Sequence, residues 1–132
     1  MNNFKAPGSN FLLFTGLMYV IFSILNLIVQ LFTYILGFFS SLFISGIFGS
    51  FFFLIFGIFG FIGSIYGFVI GIIVITNRNN LQKSELLFKL SIIALILGIL
   101  GIFNNPLFGS FNIILPILLL IGANKNKRAY FN

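Results

Sequence analysis

Between Lys5 and Arg78 the chain carries no charged side chain, and a second uncharged run separates Lys89 from Lys125. A hydrophobic stretch beyond about 18 residues reads as a membrane-crossing helix, because lipid offers no partner for an open backbone. Only 6% of the residues are charged and 60% are hydrophobic, against roughly 25% charged in a soluble domain. Too little polar surface remains to cover a water-soluble exterior. The expectation is an all-α integral membrane protein, in a bacterial plasma membrane, with its N-terminal segment retained: the apolar run is too long for a signal peptide and no small-residue cleavage site follows it.

A crossing takes about 20 residues. The first uncharged run holds two, with a break expected at "GFFSSLFISG" (37–46), where glycine and serine cluster. The second is divided by "NNPLFGS" (104–110), since Pro106 cannot continue a helix from the residue before it. The predicted helices are therefore 11–36, 47–76, 84–103 and 107–123, forming one four-transmembrane-helix bundle. A basic loop covers 77–84, where Asn80 or Ser84 can cap the third helix, and a basic tail covers 124–132. Pro116 is expected to kink the fourth helix.

Lys5, Arg78, Lys83, Lys89, Lys125, Lys127 and Arg128 fall in the tails and around the second connector, which a four-span chain places on one side. The positive-inside rule then puts both termini in the cytoplasm, with these residues against anionic lipid headgroups. Net charge +6 thus reflects topology, and no nucleic-acid partner is expected.

Five glycines interrupt the apolar stretch "GIFGFIGSIYGFVIG" (57–71), although glycine costs roughly 1 kcal/mol in a helix. At 100° per residue Gly57, Gly60, Gly63, Gly67 and Gly71 share an arc of about 120°. Between helices in lipid, close approach through small residues supplies association energy. The glycines are read as a docking face, so leucine at Gly63 or Gly67 is expected to push the facing helix away. Helix one shows a matching seam, Gly16, Tyr19, Ser23, Asn26, Gln30, Thr33 and Gly37; helix three shows Ser91, Ala94, Gly98, Gly101 and Asn105. Steps of three and four favour left-handed packing near +20°. Within the first seam Ser23, Asn26, Gln30 and Thr33 form either a polar interhelical contact or the lining of a solute path. The Glu85–Lys89 pair is read as a solvated helix start.

The chain contains no histidine and no cysteine, and its one acidic residue, Glu85, lies outside the apolar runs. Thiol chemistry, the usual nitrogen and sulfur metal ligation and a Ser-His-Asp triad are thereby excluded, and no phosphate-cradling motif is present. Neither an enzyme nor a cofactor is expected. The function expected is that of an accessory or assembly subunit contacting other membrane proteins or further copies of itself. The alternatives are a protective protein of the peptide-immunity type and a small oligomeric pore or carrier using the Asn26/Gln30 stripe.

The segments "GILGIF" (98–103) and "LFGSFNIILPILLLIGA" (107–123), with the basic "NKNKR" after them, resemble a family of small four-helix membrane proteins of unknown function from low-GC Gram-positive bacteria. The resemblance covers the C-terminal two-thirds. Ile117 stands where that family usually has a glycine after the proline. The resemblance implies a fold and a membrane location, without an assigned activity.

Overall fold

A computed structural model describes residues 5–44, 46–102 and 106–131, and every regular element among them is helical. The order is α1 (Ser9–Ile44), α2 (Gly46–Asn77), a 3-10 turn (Leu81–Lys83), α3 (Ser84–Ile102) and α4 (Pro106–Phe131). Among the described residues one helix, α1, is long and apolar enough to cross a membrane, with Phe61–Asn77 as a shorter apolar stretch.

The predicted break at 37–46 narrows to the far end of that segment, because α1 runs on to Ile44 rather than ending at 36. Glycine and serine signal a turn in water, where a serine hydroxyl competes with the helix for backbone partners. Here the hydroxyls of Ser40 and Ser41 find acceptors within the helix and do not end it. Ser40 Oγ donates to the Leu36 carbonyl at 2.8 Å and Ser41 Oγ to the Phe38 carbonyl at 2.8 Å. The turn falls at Gly46, whose φ of +66° is the one left-handed value among the described residues. Open space surrounds its Cβ position, so backbone conformation alone selects glycine there. Gly46→Ala is therefore expected to cost about 1–2 kcal/mol, the penalty of a left-handed L-residue, measurable as a lower melting temperature.

α3 starts at the expected residue, while Asn80 caps a 3-10 turn before it rather than α3 itself. Asn80 takes the N-cap position of the 3-10 turn, its Oδ1 accepting from the Gln82 N–H at 3.0 Å, and α3 begins at Ser84. Pro106 opens α4, where its missing N–H costs nothing. Pro116 lies inside α4 and is fully buried. The predicted tail 124–132 is corrected: α4 stays helical to Phe131.

Contacts divide the chain into two compact units. Residues 1–19 and 70–132 make the first, which holds the first turns of α1, the last turns of α2, the 3-10 turn, α3 and α4. Residues 20–69 make the second, a hairpin of the remaining α1 and α2.

Candidate functional site: helix seams and a basic end

In the first unit α3 and α4 pack along one another. Among the described residues the buried positions of α3 are Ser84, Leu87, Ser91, Ala94 and Gly98, alternating steps of three and four. Those of α4 include Leu115, Leu119, Gly122 and Asn126, with the same alternation. A Cβ built on Gly98 would overlap the Asn112 carbonyl. Glycine is thus what lets the two backbones meet.

Near its start α1 crosses α4 in the same manner. A Cβ on Gly8 would overlap the Gly122 carbonyl, and one on Gly122 would lie 3.0 Å from Leu12 and from Phe11 Cβ. Farther along, a Cβ on Gly16 would come within 2.7 Å of Ile75 Cγ1 and 3.1 Å of the Gly71 carbonyl oxygen. Gly71 is buried and Gly67 half-buried.

The crossing of α1 and α4 is tied by Asn126, which has no exposed surface. Its Oδ1 accepts from the Gly8 N–H at 2.6 Å, while its Nδ2 donates to the Arg78 carbonyl at 2.9 Å. One amide thereby satisfies a donor before α1 and an acceptor just after α2. Sequence reasoning missed Asn126 by reading 124–132 as a solvated tail. The signal was its place in the buried α4 series, one turn beyond Gly122.

Charge gathers around this knot. Lys125 Nζ stands 4.4 Å from the centre of the Phe11 ring and Lys127 Nζ 4.9 Å from that of Phe88, both within cation–π range. Lys89 pairs with Glu85 at 3.1 Å. That hydrogen bond, then the charges of Lys89 and Lys127, hold the Glu85 carboxyl below its ordinary value. Both partners are more than half exposed, so the pair contributes little to stability. Arg78 supplies the carbonyl of the knot; Lys5, Lys83 and Arg128 are not drawn into any of these contacts, and Lys5, Lys83 and Arg128 are exposed.

In the second unit Ser23 is buried, and Asn26 Nδ2 donates to Ser64 Oγ of α2 at 2.9 Å. Tyr34 reaches across to the Leu54 carbonyl at 3.2 Å and its ring stands 5.3 Å from that of Phe61. Gln30 is half-buried, with its Oε1 enclosed and unpartnered, whereas Thr33 is exposed. Asn26 thus makes an interhelical hydrogen bond, and Thr33 lies on an exposed part of α1.

One member of the glycine stripe departs from expectation. Gly63 is exposed, with nothing within 4 Å of its Cβ position. In the hairpin the buried direction of α2 is set by Ser50 and Ser64, and the residue before Ser64 is turned about 100° from it. Gly63→Leu should accordingly leave thermal resistance unchanged within this chain, and Gly63→Ala should raise it by up to ~1 kcal/mol through helix propensity. The surroundings of Gly57, Gly60 and Gly101, and all of Asn105, lie outside the described residues.

Outside the seams the surface is greasy. Phe14, Phe32, Leu36, Ile58, Ile62 and Ile96 are each more than half exposed, among many large hydrophobics that face outward. The interior mixes serine, glycine and alanine with Leu12, Ile70, Val74, Leu87, Leu115 and Leu119, while many more phenylalanines, isoleucines and leucines face outward. No family model matches the chain, and no curated protein or solved structure is found similar to it.

Proposed function

We propose that this chain is a four-span integral membrane protein whose helices α1–α4 cross the bilayer, with the basic end in the cytoplasm, and that it serves as a non-enzymatic accessory or assembly subunit of a larger membrane complex. The observation that carries the membrane reading is the large number of big apolar side chains left on the outside, around an interior in which small polar residues sit beside Leu12, Ile70, Val74, Leu87 and Leu119. Ser9, Thr15, Ser23, Ser50, Ser64, Ser84, Ser91 and Asn126 are buried, while most large hydrophobics face outward. In water each large apolar side chain left exposed forfeits about 1.5–3 kcal/mol. In lipid that cost vanishes, and small residues at helix crossings become the source of association.

The cytoplasmic assignment rests on charge. Lys125 and Lys127 lie over Phe11 and Phe88, and Asn126 links Gly8 to Arg78. The start of α1, the end of α2, the start of α3 and the end of α4 are thus neighbours, as a four-span topology requires. Anionic headgroups are the partners suited to that end. Subunit contacts are left to the exposed apolar faces, since little else projects from the helices.

Two measurements test this reading. In intact cells Asn80→Cys should react with a membrane-impermeant thiol reagent only after permeabilisation; labelling from outside contradicts the topology. Gentle extraction followed by native mass analysis should recover the chain bound to other membrane subunits or further copies. A lone monomer under all mild conditions contradicts the accessory role.

A further inference from the structure

Along α4 the exposed side chains Ile114, Ile117 and Ile121 recur at steps of three and four. Half-buried Asn124 and exposed Arg128 and Phe131 continue the same steps, so all six share one face of the helix. The other side, with Leu115, Leu119, Gly122 and Asn126, is the packed one. The outward face is thus aliphatic as far as Ile121, turns polar at Asn124, becomes charged at Arg128 and ends on an aromatic ring.

That order follows the layers of a bilayer. Ala123 is the last apolar residue before the basic run, and Arg128 lies ~7.5 Å farther along the helix axis. A headgroup layer is about 5–8 Å deep on each side of the hydrocarbon core. Helical side chains lean toward the N-terminus of their own helix, which for α4 is the direction of its apolar stretch. Phe131 therefore leans back over the turn that holds Arg128. It is 68% exposed, and Tyr130, 49% exposed, stands edge-on to it at 5.2 Å. Bare rings at a helix end are unfavourable in water, but the junction of headgroups and acyl chains suits aromatic side chains.

Charge selects the headgroup. Lys125, Lys127 and Arg128 fall between Asn124 and Asn132, and no acidic residue falls there. The two lysine ammonium groups rest on the Phe11 and Phe88 rings. Arg128 is exposed on the outward face and presents a planar fork of donors, the geometry that matches a phosphate. Because Arg128 and Phe131 share their face with Ile117 and Ile121, whatever covers the greasy length of that face also covers its basic end.

Resting on the membrane reading above, we propose that the last two turns of α4 bind an anionic phospholipid, with Arg128 holding the headgroup phosphate and Phe131 and Tyr130 lying at the junction of headgroup and acyl chains. Bound there, the lipid holds the helix end just beyond the Asn126 knot.

The native chain has no tryptophan, so Phe131→Trp places a single reporter on this face and keeps an aromatic ring there. Ile96→Trp, at an exposed position of α3, is the reference. The full-length variants are reconstituted in vesicles of equal parts phosphatidylcholine and phosphatidylglycerol, in which one lipid or the other carries brominated acyl chains. At residue 131 brominated phosphatidylglycerol should quench several-fold more effectively than brominated phosphatidylcholine. Arg128→Gln, a change at an exposed side chain, should reduce that preference about fivefold, the effect of one basic group near an anionic surface. At residue 96 the two lipids should quench alike. Equal quenching at residue 131, or a preference that survives Arg128→Gln, with residue 96 quenched by either lipid, would overturn the proposal while sparing the membrane reading. Absence of quenching at residue 96 by both lipids would overturn both.

Discussion

Gly98→Ala is expected to lower the melting temperature of the purified protein sharply, although alanine is the better helix former. The propensity gain is ~1 kcal/mol. Against it stands the overlap of the new methyl with the Asn112 carbonyl, which no side-chain rotation can relieve. Overpacking costs about 1–3 kcal/mol, and a clash with backbone belongs at the upper end. The net loss, about 2 kcal/mol, is large beside the 5–15 kcal/mol that hold a typical domain together. Gly98→Leu should be worse, since α3 and α4 would have to part. The exposed Gly63 provides the control, because alanine there meets nothing. If Gly98→Ala and Gly63→Ala shift the melting temperature equally, close approach is not what the α3 glycine provides.

The second large effect is expected at Asn126. Asn126→Ala deletes both hydrogen bonds of the knot, leaving the Gly8 N–H and the Arg78 carbonyl without their amide partner. A buried orphaned group costs about 1–3 kcal/mol, and the two losses here fall at the same crossing. Asn126→Asp keeps the acceptor for Gly8 but turns a carboxylate toward the Arg78 carbonyl, so it should not rescue. Asn124→Ala, two residues earlier and only half-buried, should be near neutral. Thermal unfolding in detergent reads all three. Equal behaviour of the residue-124 and residue-126 alanine variants would show that the crossing of α1 with α4 does not depend on the amide.

Much of the packing was legible because it is periodic. Gly16 and Ser23 in α1, and Ser91, Ala94 and Gly98 in α3, are buried as their spacing predicts, and α3 starts at Ser84 where the polar loop ends. Two features were hidden for physical reasons. Glycine and serine at 37–46 spread the expected turn over the whole segment by propensities measured in water, yet Ser40 and Ser41 bond to carbonyls of their own helix and the turn is confined to the end of the segment, at Gly46. The Asn126 knot joins residues 118 positions apart, and its lysine neighbours make that segment resemble a solvated tail. Gly63 teaches a different point. Angular position identifies a smooth stripe on α2, but which part of it is covered depends on where α1 reaches, and the hairpin uses the Ser50/Ser64 side.

The central claim is that from Ser91 to Gly98 α3 presents small residues to protein and large apolar residues to lipid, and spin labels along α3 test it most directly. Nitroxides are attached one at a time at Ser91, Ile92, Ile93, Ala94, Ile96, Leu97 and Gly98 in the reconstituted protein. Their collision rates with oxygen, which concentrates in hydrocarbon, and with a water-soluble nickel chelate are then compared. Positions 92, 93, 96 and 97 are expected to be mobile, open to oxygen and closed to nickel. Positions 91, 94 and 98 are expected to be immobilised and closed to both. Access of the nickel chelate to positions 92, 93, 96 and 97 would place that greasy face in water and contradict the membrane-embedded bundle.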